Sequence, residues 1–175
     1  KRPRPLPVPR WKGEPLAGKH LLIHGEQGIG DEVMFATAWA DLIGEAAHCT
    51  VTCDQRLESL FARSFPELTV RGVERGAEDW AQICGSGVDL HIPAGSVPRY
   101  TRTCTDDFPR RDGILVAAPA ARKMWRTRLA QGGRRLNVGI SWRAGQRTRE
   151  SRQRSTDLSA WSRLLEIDGV RFVNL

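Results

Sequence analysis

Apolar positions along the chain fall into short continuous runs that alternate with longer stretches of helical spacing. "HLLIHG" is an apolar run stopped by glycine and predicts a buried strand over 20–24. From Asp31 to about Ala47, "DEVMFATAWADLIGEAA" carries apolar residues on most faces, which predicts one helix packed tightly against a sheet. "HCTVTCD" reads as a second strand, and "QRLESLFARSF" as a helix with Leu57, Leu60, Phe61 and Phe65 on one side. Strand, helix, strand, helix in quick succession predicts parallel strands joined by right-handed crossovers, a Rossmann-like α/β organisation. "LTVRGV" and "VDLHIP" are the next strands, separated by a helical or irregular stretch around Trp80.

From "AGSVPRY" to "DDFPRRDG" the pattern dissolves into loop, with Pro98, Pro109 and Gly113 as breakers. "PAARKMWRTRLAQGG" then predicts a basic helix with Pro119 at its entrance. The alternation restarts with "RLNVGISW" as a strand, an arginine-rich loop, "TDLSAWSRLLEI" as a helix capped by Thr156 or Asp157, and "VRFVNL" as a strand. Two parallel strands cannot cover both faces of a sheet, so this restart reads as the opening of a second α/β domain. The expected division is a basic, proline-rich linker over 1–19, a Rossmann-like domain over 20–133, and an incomplete second Rossmann-like domain over 134–175.

Composition narrows the class. Of 175 residues, 40% are hydrophobic and 27% charged, which suits a globular protein and argues against wholesale disorder. No apolar run is long enough to cross a bilayer, so no transmembrane segment is expected. The basic start "KRPRPLPVPRW" lacks the apolar core of a signal peptide, which argues against export. Cys49, Cys53, Cys84 and Cys104 form no C-x-x-C pair and have no histidine at zinc spacing. Neither a metal nor a structural disulfide is therefore expected, and the cytoplasm is the expected compartment. The net charge of +7 favours an anionic partner. Lysine occurs only at 1, 12, 19 and 123, so the charge is nearly all guanidinium, suited to bidentate phosphate contact.

Two constellations can carry chemistry. "GEQGIGD" spaces Gly25, Gly28 and Gly30 as G-x-x-G-x-G, the wrong order for a dinucleotide fold, and supplies no P-loop lysine. This disfavours a nicotinamide-dependent oxidoreductase. A glycine turn entering a helix attracts negative charge, which here is supplied by Asp31. Asp31 is either a helix-capping residue or a carboxylate facing the crevice at the carboxyl edge of a parallel sheet. Glu26 and His24 flank the turn as rival bases. In "SWRAGQRTRESRQRST", Arg143, Arg147, Arg149, Arg152 and Arg154 follow a strand and precede a helix, either as a phosphate-binding mouth or as a solvated charged loop.

"GEQGIGDEVMFATAWADL" resembles the first loop and helix of the heptosyltransferase-like glycosyltransferases of glycosyltransferase family nine. The "GSVPR" loop and "VGISWRAG…RQRSTDLSAW…GVRFVNL" resemble a bacterial subgroup in which such a domain follows tetratricopeptide repeats. The resemblance runs from about Pro9 to Leu175. It implies a glycosyltransferase B fold, two Rossmann-like domains facing one another across a cleft, and inverting, metal-independent transfer without a cofactor. The partners implied are a nucleotide-sugar donor, a glycan, lipid-linked or protein acceptor, and upstream tetratricopeptide repeats. The location implied is the cytoplasm or the inner face of the membrane.

By the same resemblance Asp31 is the general base, and the acceptor-side loops hold Glu26, Gly28, Gly30, Ser96 and Arg99. Ser141, Arg143, Arg154 and Ser155 meet the donor diphosphate. The family's later nucleotide-holding segment has no counterpart before Leu175, so this stretch alone is expected to lack donor binding and activity, as a fragment of a longer polypeptide or as a reduced module. The competing reading is a non-catalytic arginine-rich module that binds phosphorylated glycan or nucleic acid.

Overall fold

In a computed structural model of the chain, residues 6–25, 28–74, 79–85, 87–110, 112–131, 136–143 and 155–175 are described. The first apolar run forms β1 (His20–His24), and its Leu21, Leu22 and Ile23 are fully buried, as a strand covered on both faces requires. β2 (His48–Asp54), β3 (Thr69–Val73) and β4 (Leu90–Pro93) complete a parallel sheet in the order β3-β2-β1-β4. Its register sets Leu22 beside Thr50 on one side and His91 on the other. The fold is α/β with a four-stranded parallel sheet, compatible with a Rossmann-like arrangement.

Against one face pack α1 (Ile29–Phe35) and α2 (Glu58–Ser64) with the turns that adjoin them, burying Leu21, Ile23, Val51, Trp39, Phe61 and Phe65. Trp39 and Phe61 meet edge to face, their centroids 4.8 Å apart. The opposite face carries a smaller cluster of Leu22, Ile83, Cys84 and Val88 under α3 (Trp80–Cys84).

The single helix expected from Asp31 to Ala47 is shorter and broken. α1 ends at Phe35, the chain continues as a 3-10 turn over Ala36–Asp41, and Gly44 reverses it at φ +91°. The reason lies far along the chain. The Arg102 guanidinium donates to the Thr37 carbonyl, the acceptor that an α-helix would offer to the Asp41 N–H, and its Nε pairs with Asp41 Oδ2 at 2.7 Å.

The stretch read as a linker also differs from expectation, since part of it packs on the sheet. Arg10 bridges His91 in parallel, the Trp11 N–H donates to the His91 carbonyl, and the His91 N–H donates to Pro9. Trp11 and Leu16 join the core. The cysteines are free: Cys49, Cys53 and Cys84 are buried and Cys104 is exposed.

Contacts divide the chain into two compact units, 1–118 and 119–175. The second contains α5 (Pro119–Ala130), α6 (Ser162–Leu165) and the parallel pair β5 (Leu136–Ile140) and β6 (Val170–Asn174). α5 belongs with this sheet because Arg171 of β6 donates to the carbonyls of Arg128, Leu129 and Gln131, the unpaired acceptors at the helix end. Asp157 caps the turn before α6 by accepting the Ser159 N–H, while Thr156 instead accepts from the Trp161 indole. Among the described residues no helix is long and apolar enough to cross a membrane.

Candidate functional site

From β1 the sheet grows one way to β2 and β3, and β4 adds on the other side of β1. The carboxyl ends of β1 and β4 therefore flank the topological switch point, where open α/β sheets bind ligands. The glycine turn follows β1, while the "AGSVPR" segment follows β4 as a 3-10 turn (Ala94–Ser96) and α4 (Pro98–Thr101). The end of α1, the helix that the glycine turn opens, touches the second segment, since a Cβ on Gly95 would lie 3.0 Å from the Phe35 ring. Sequence-distant candidates thus share one edge.

Asp31 stands in the first turn of α1, half-buried, and its Oδ2 accepts the Gly28 N–H at 3.0 Å. That contact is the reciprocal half of a capping box, so Asp31 does tether its own helix start. Among the described residues its Oδ1 makes no hydrogen bond. Gly28 has an ordinary extended φ of −72°, and a Cβ on Gly30 would meet nothing within 4 Å. The glycine that the geometry requires is Gly25, where a Cβ would come 2.6 Å from Glu32 Oε1.

Glu32 is the more buried acid, 4% exposed, and its Oε2 accepts the Asp54 N–H at 2.8 Å. It ties the glycine turn to the end of β2. Asp54 in turn caps the following turn through the Arg56 N–H and pairs with the Arg56 guanidinium at 2.9 Å. Gly25, Glu32, Thr52, Cys53, Asp54, Val73 and Trp80 line a niche of about 20 Å³, room for one water. Burial, followed by the charges of Glu32, Glu58 and Asp54, pushes the Cys53 thiol up to about 12, so it stays protonated and unreactive.

Ser96 accepts a hydrogen bond from Arg10 Nη2 at 2.9 Å, and Arg99 is exposed on α4. His24 is turned away from the turn it flanks: it is buried, its Nε2 lies 3.1 Å from His91 Nδ1, and its ring packs edge-on to Trp80. Burial and then the Arg10 charge lower the pKa of His91.

In the second unit, the Thr156 N–H donates to the Trp142 carbonyl at 2.9 Å, which brings Ser155 back beside the segment of Ser141 and Arg143 beyond β5. Arg143 and Asp157 interact electrostatically, a small contribution to the lowered pKa of Asp157. Glu26, Arg147, Arg149, Arg152 and Arg154 lie outside the described residues. Among those described, no group of three or more His, Cys, Asp or Glu side chains could hold a metal.

Sequence reasoning missed Glu32, Arg10, Thr52 and Trp80. For Glu32 a signal existed: it shares the i, i+4, i+7 line with Ala36 and Trp39, both buried, so an acid sat on the inward stripe of the helix. Arg10 carried none, because its segment has the composition of a linker.

No protein-family profile matches the chain, and no solved structure matches it. It is similar to protein FlbA of Caulobacter vibrioides, 31% identical over 185 aligned positions that cover 97% of this chain and 30% of FlbA. The chain thus spans about 30% of the length of that relative.

Proposed function

We propose that the chain is part of an inverting glycosyltransferase with a glycosyltransferase B architecture, the acceptor held on the first unit and the donor diphosphate on the second. The observation that carries this reading is the half-exposed Asp31 at the switch point, with one carboxylate oxygen fixed by Gly28 and the two candidate loops on the same edge. In the reaction the acceptor oxygen bonds to the anomeric carbon as the bond to the donor phosphate breaks. The acceptor proton passes to Asp31, and the nucleoside diphosphate leaves with its negative charge stabilised by Arg143 and its neighbours. The alcohol loses its proton late, as the sugar bond forms, so the position of the carboxylate decides its role. The Gly28 contact then serves to aim the carboxylate.

The test is Asp31→Asn in the complete polypeptide, assayed for release of nucleoside diphosphate from a panel of nucleotide sugars. The amide retains a carbonyl for the Gly28 N–H, so the fold is kept while transfer falls about 10²–10⁴-fold. Transfer at the wild-type rate would remove Asp31 as the base.

A further inference from the structure

We propose that Arg10, Ser96 and Arg99, beyond the carboxyl end of β4, form a binding site for a phosphate monoester. This rests on the reading of the same edge as the acceptor side and narrows it: the phosphate is a substituent of the acceptor, apart from the hydroxyl that reacts. Arg10 is the anchor. Its Nη2 donates to Ser96 Oγ at 2.9 Å, and the Ser96 hydroxyl, having accepted that bond, still has its own proton to give. Among the described residues that proton meets no acceptor, and neither Arg10 nor Arg99 pairs with a carboxylate. The Arg10 charge is felt across the bridge to β4, where it follows burial as a cause of the lowered pKa of His91.

The main chain beneath Arg10 is fixed before any ligand arrives. The His91 N–H donates to the Pro9 carbonyl at 3.0 Å and the Trp11 N–H to the His91 carbonyl at 2.8 Å, so the strap is clamped to β4 on both sides of Arg10. Trp11 is 5% exposed, and its ring meets that of Tyr100 on α4, their centroids 4.9 Å apart. Ser96 and Arg99 belong to the same helical stretch as Tyr100, which runs from Ala94 through Val97 into α4. Its inward residues, Ala94 and Val97, are buried, while Ser96 is half-buried and Arg99 exposed. Three positions apart, Ser96 and Arg99 are neighbours on that stretch, with about 5–6 Å between their Cβ atoms. An arginine side chain is longer than this spacing, so the Arg99 guanidinium reaches a ligand held by Arg10 and Ser96.

The donor set selects that ligand. Two guanidinium forks and one hydroxyl proton suit an oxyanion with three terminal oxygens better than a carboxylate, which one fork already satisfies. A neutral alcohol finds no carboxylate here to donate to. Because Arg10 and Arg99 are exposed, the phosphate can enter while the rest of its molecule stays outside. With the strap already in place, only side chains are ordered on binding.

The probe is glycerol phosphate, titrated into the ¹⁵N-labelled chain, with glycerol, acetate and inorganic phosphate in parallel. Saturable shifts at the amides of Arg10, Ser96 and Arg99 are expected, with glycerol silent and acetate weaker by about tenfold. Arg10→Met, which keeps the aliphatic stem and the main-chain clamp, weakens the ester about tenfold, and Ser96→Ala about threefold. Undiminished affinity in Arg10→Met, acetate binding as tight as the ester, or equal shifts at the arginines of the second unit would overturn the site. Inorganic phosphate that saturates these resonances while the ester does not would overturn the ester and leave a site for a free anion. Asp31→Asn leaves the titration unchanged. Transfer at the wild-type rate in Asp31→Asn, with the ester still bound, removes the base and keeps this site. Transfer lost in Asp31→Asn, with no ester bound by the wild type, keeps the base and removes the site.

Discussion

The two units are built from strands of the same kind and differ in what covers them. In the first, β1 is flanked by β2 and β4, its apolar residues are wholly buried, and helices cover both faces. In the second, β5 pairs with β6, Leu136 at the strand start is 65% exposed, and among the described residues of the unit Ile140 alone is buried. Strand propensity and main-chain hydrogen bonding are present in both, yet burial differs widely. A parallel pair forms its ladder from local sequence, but its stability comes from the layers packed on each face. In the second unit Arg171 reaches the carbonyls of Arg128, Leu129 and Gln131 at the end of α5 and a side-chain oxygen of Asn137.

The hardest way to break this contrast is to truncate an apolar side chain in each unit. Phe61, fully buried against Trp39, should cost about 3–5 kcal/mol when changed to Ala. Leu158→Ala, at a position 39% exposed, should cost within about 0.5–1 kcal/mol. Urea denaturation of the two variants is the measurement, and equal losses would mean that the second unit is as tightly packed as the first. A finer probe uses glycine. A methyl on Gly25 meets Glu32 Oε1, whose carboxylate is fixed by the Asp54 N–H, so Gly25→Ala should destabilise by about 1–3 kcal/mol.

The same contrast explains what could be read in advance. β1 and β2 are evident in "HLLIH" and "HCTVTCD" because a strand buried on both faces leaves a continuous apolar or small-residue run. The break after Phe35 is invisible locally, since it depends on Arg102, 65 residues beyond Thr37 in sequence. The packing within residues 6–19 is hidden for a related reason: a proline-rich segment looks like a spacer until a free sheet edge is available beside β4. Within the candidate site, Asp31 and Ser96 are legible from their turns. Their surroundings are not, because Glu32 meets Asp54 across 22 residues and Arg10 meets Ser96 across 86. Local sequence marks where the chain turns at the sheet edge, whereas long-range packing decides which side chains gather there.

Acid should separate the units most gently. The four histidines, His20, His24, His48 and His91, all belong to the first unit. Burial lowers the pKa of His20, with His48 adding to the effect, and burial and Arg10 lower that of His91. The unfolded chain therefore takes up protons near the ordinary histidine value of 6.5 while the folded one resists. Stability is full above that pH and declines as the pH falls below it. Among the described residues of the second unit the perturbed group is Asp157, whose carboxylate is held low by the Ser159 N–H and hydroxyl. Its contribution persists until the pH falls through the carboxylate range, below about 4. Amide-exchange protection measured at about pH 7.5 and about pH 5.5 should fall in β1 and β2 and hold in β5 and β6, and His91→Gln should shrink the loss. Equal weakening of β5 and β6 in that interval would show that acid acts through something other than the half-buried imidazoles of His20 and His91.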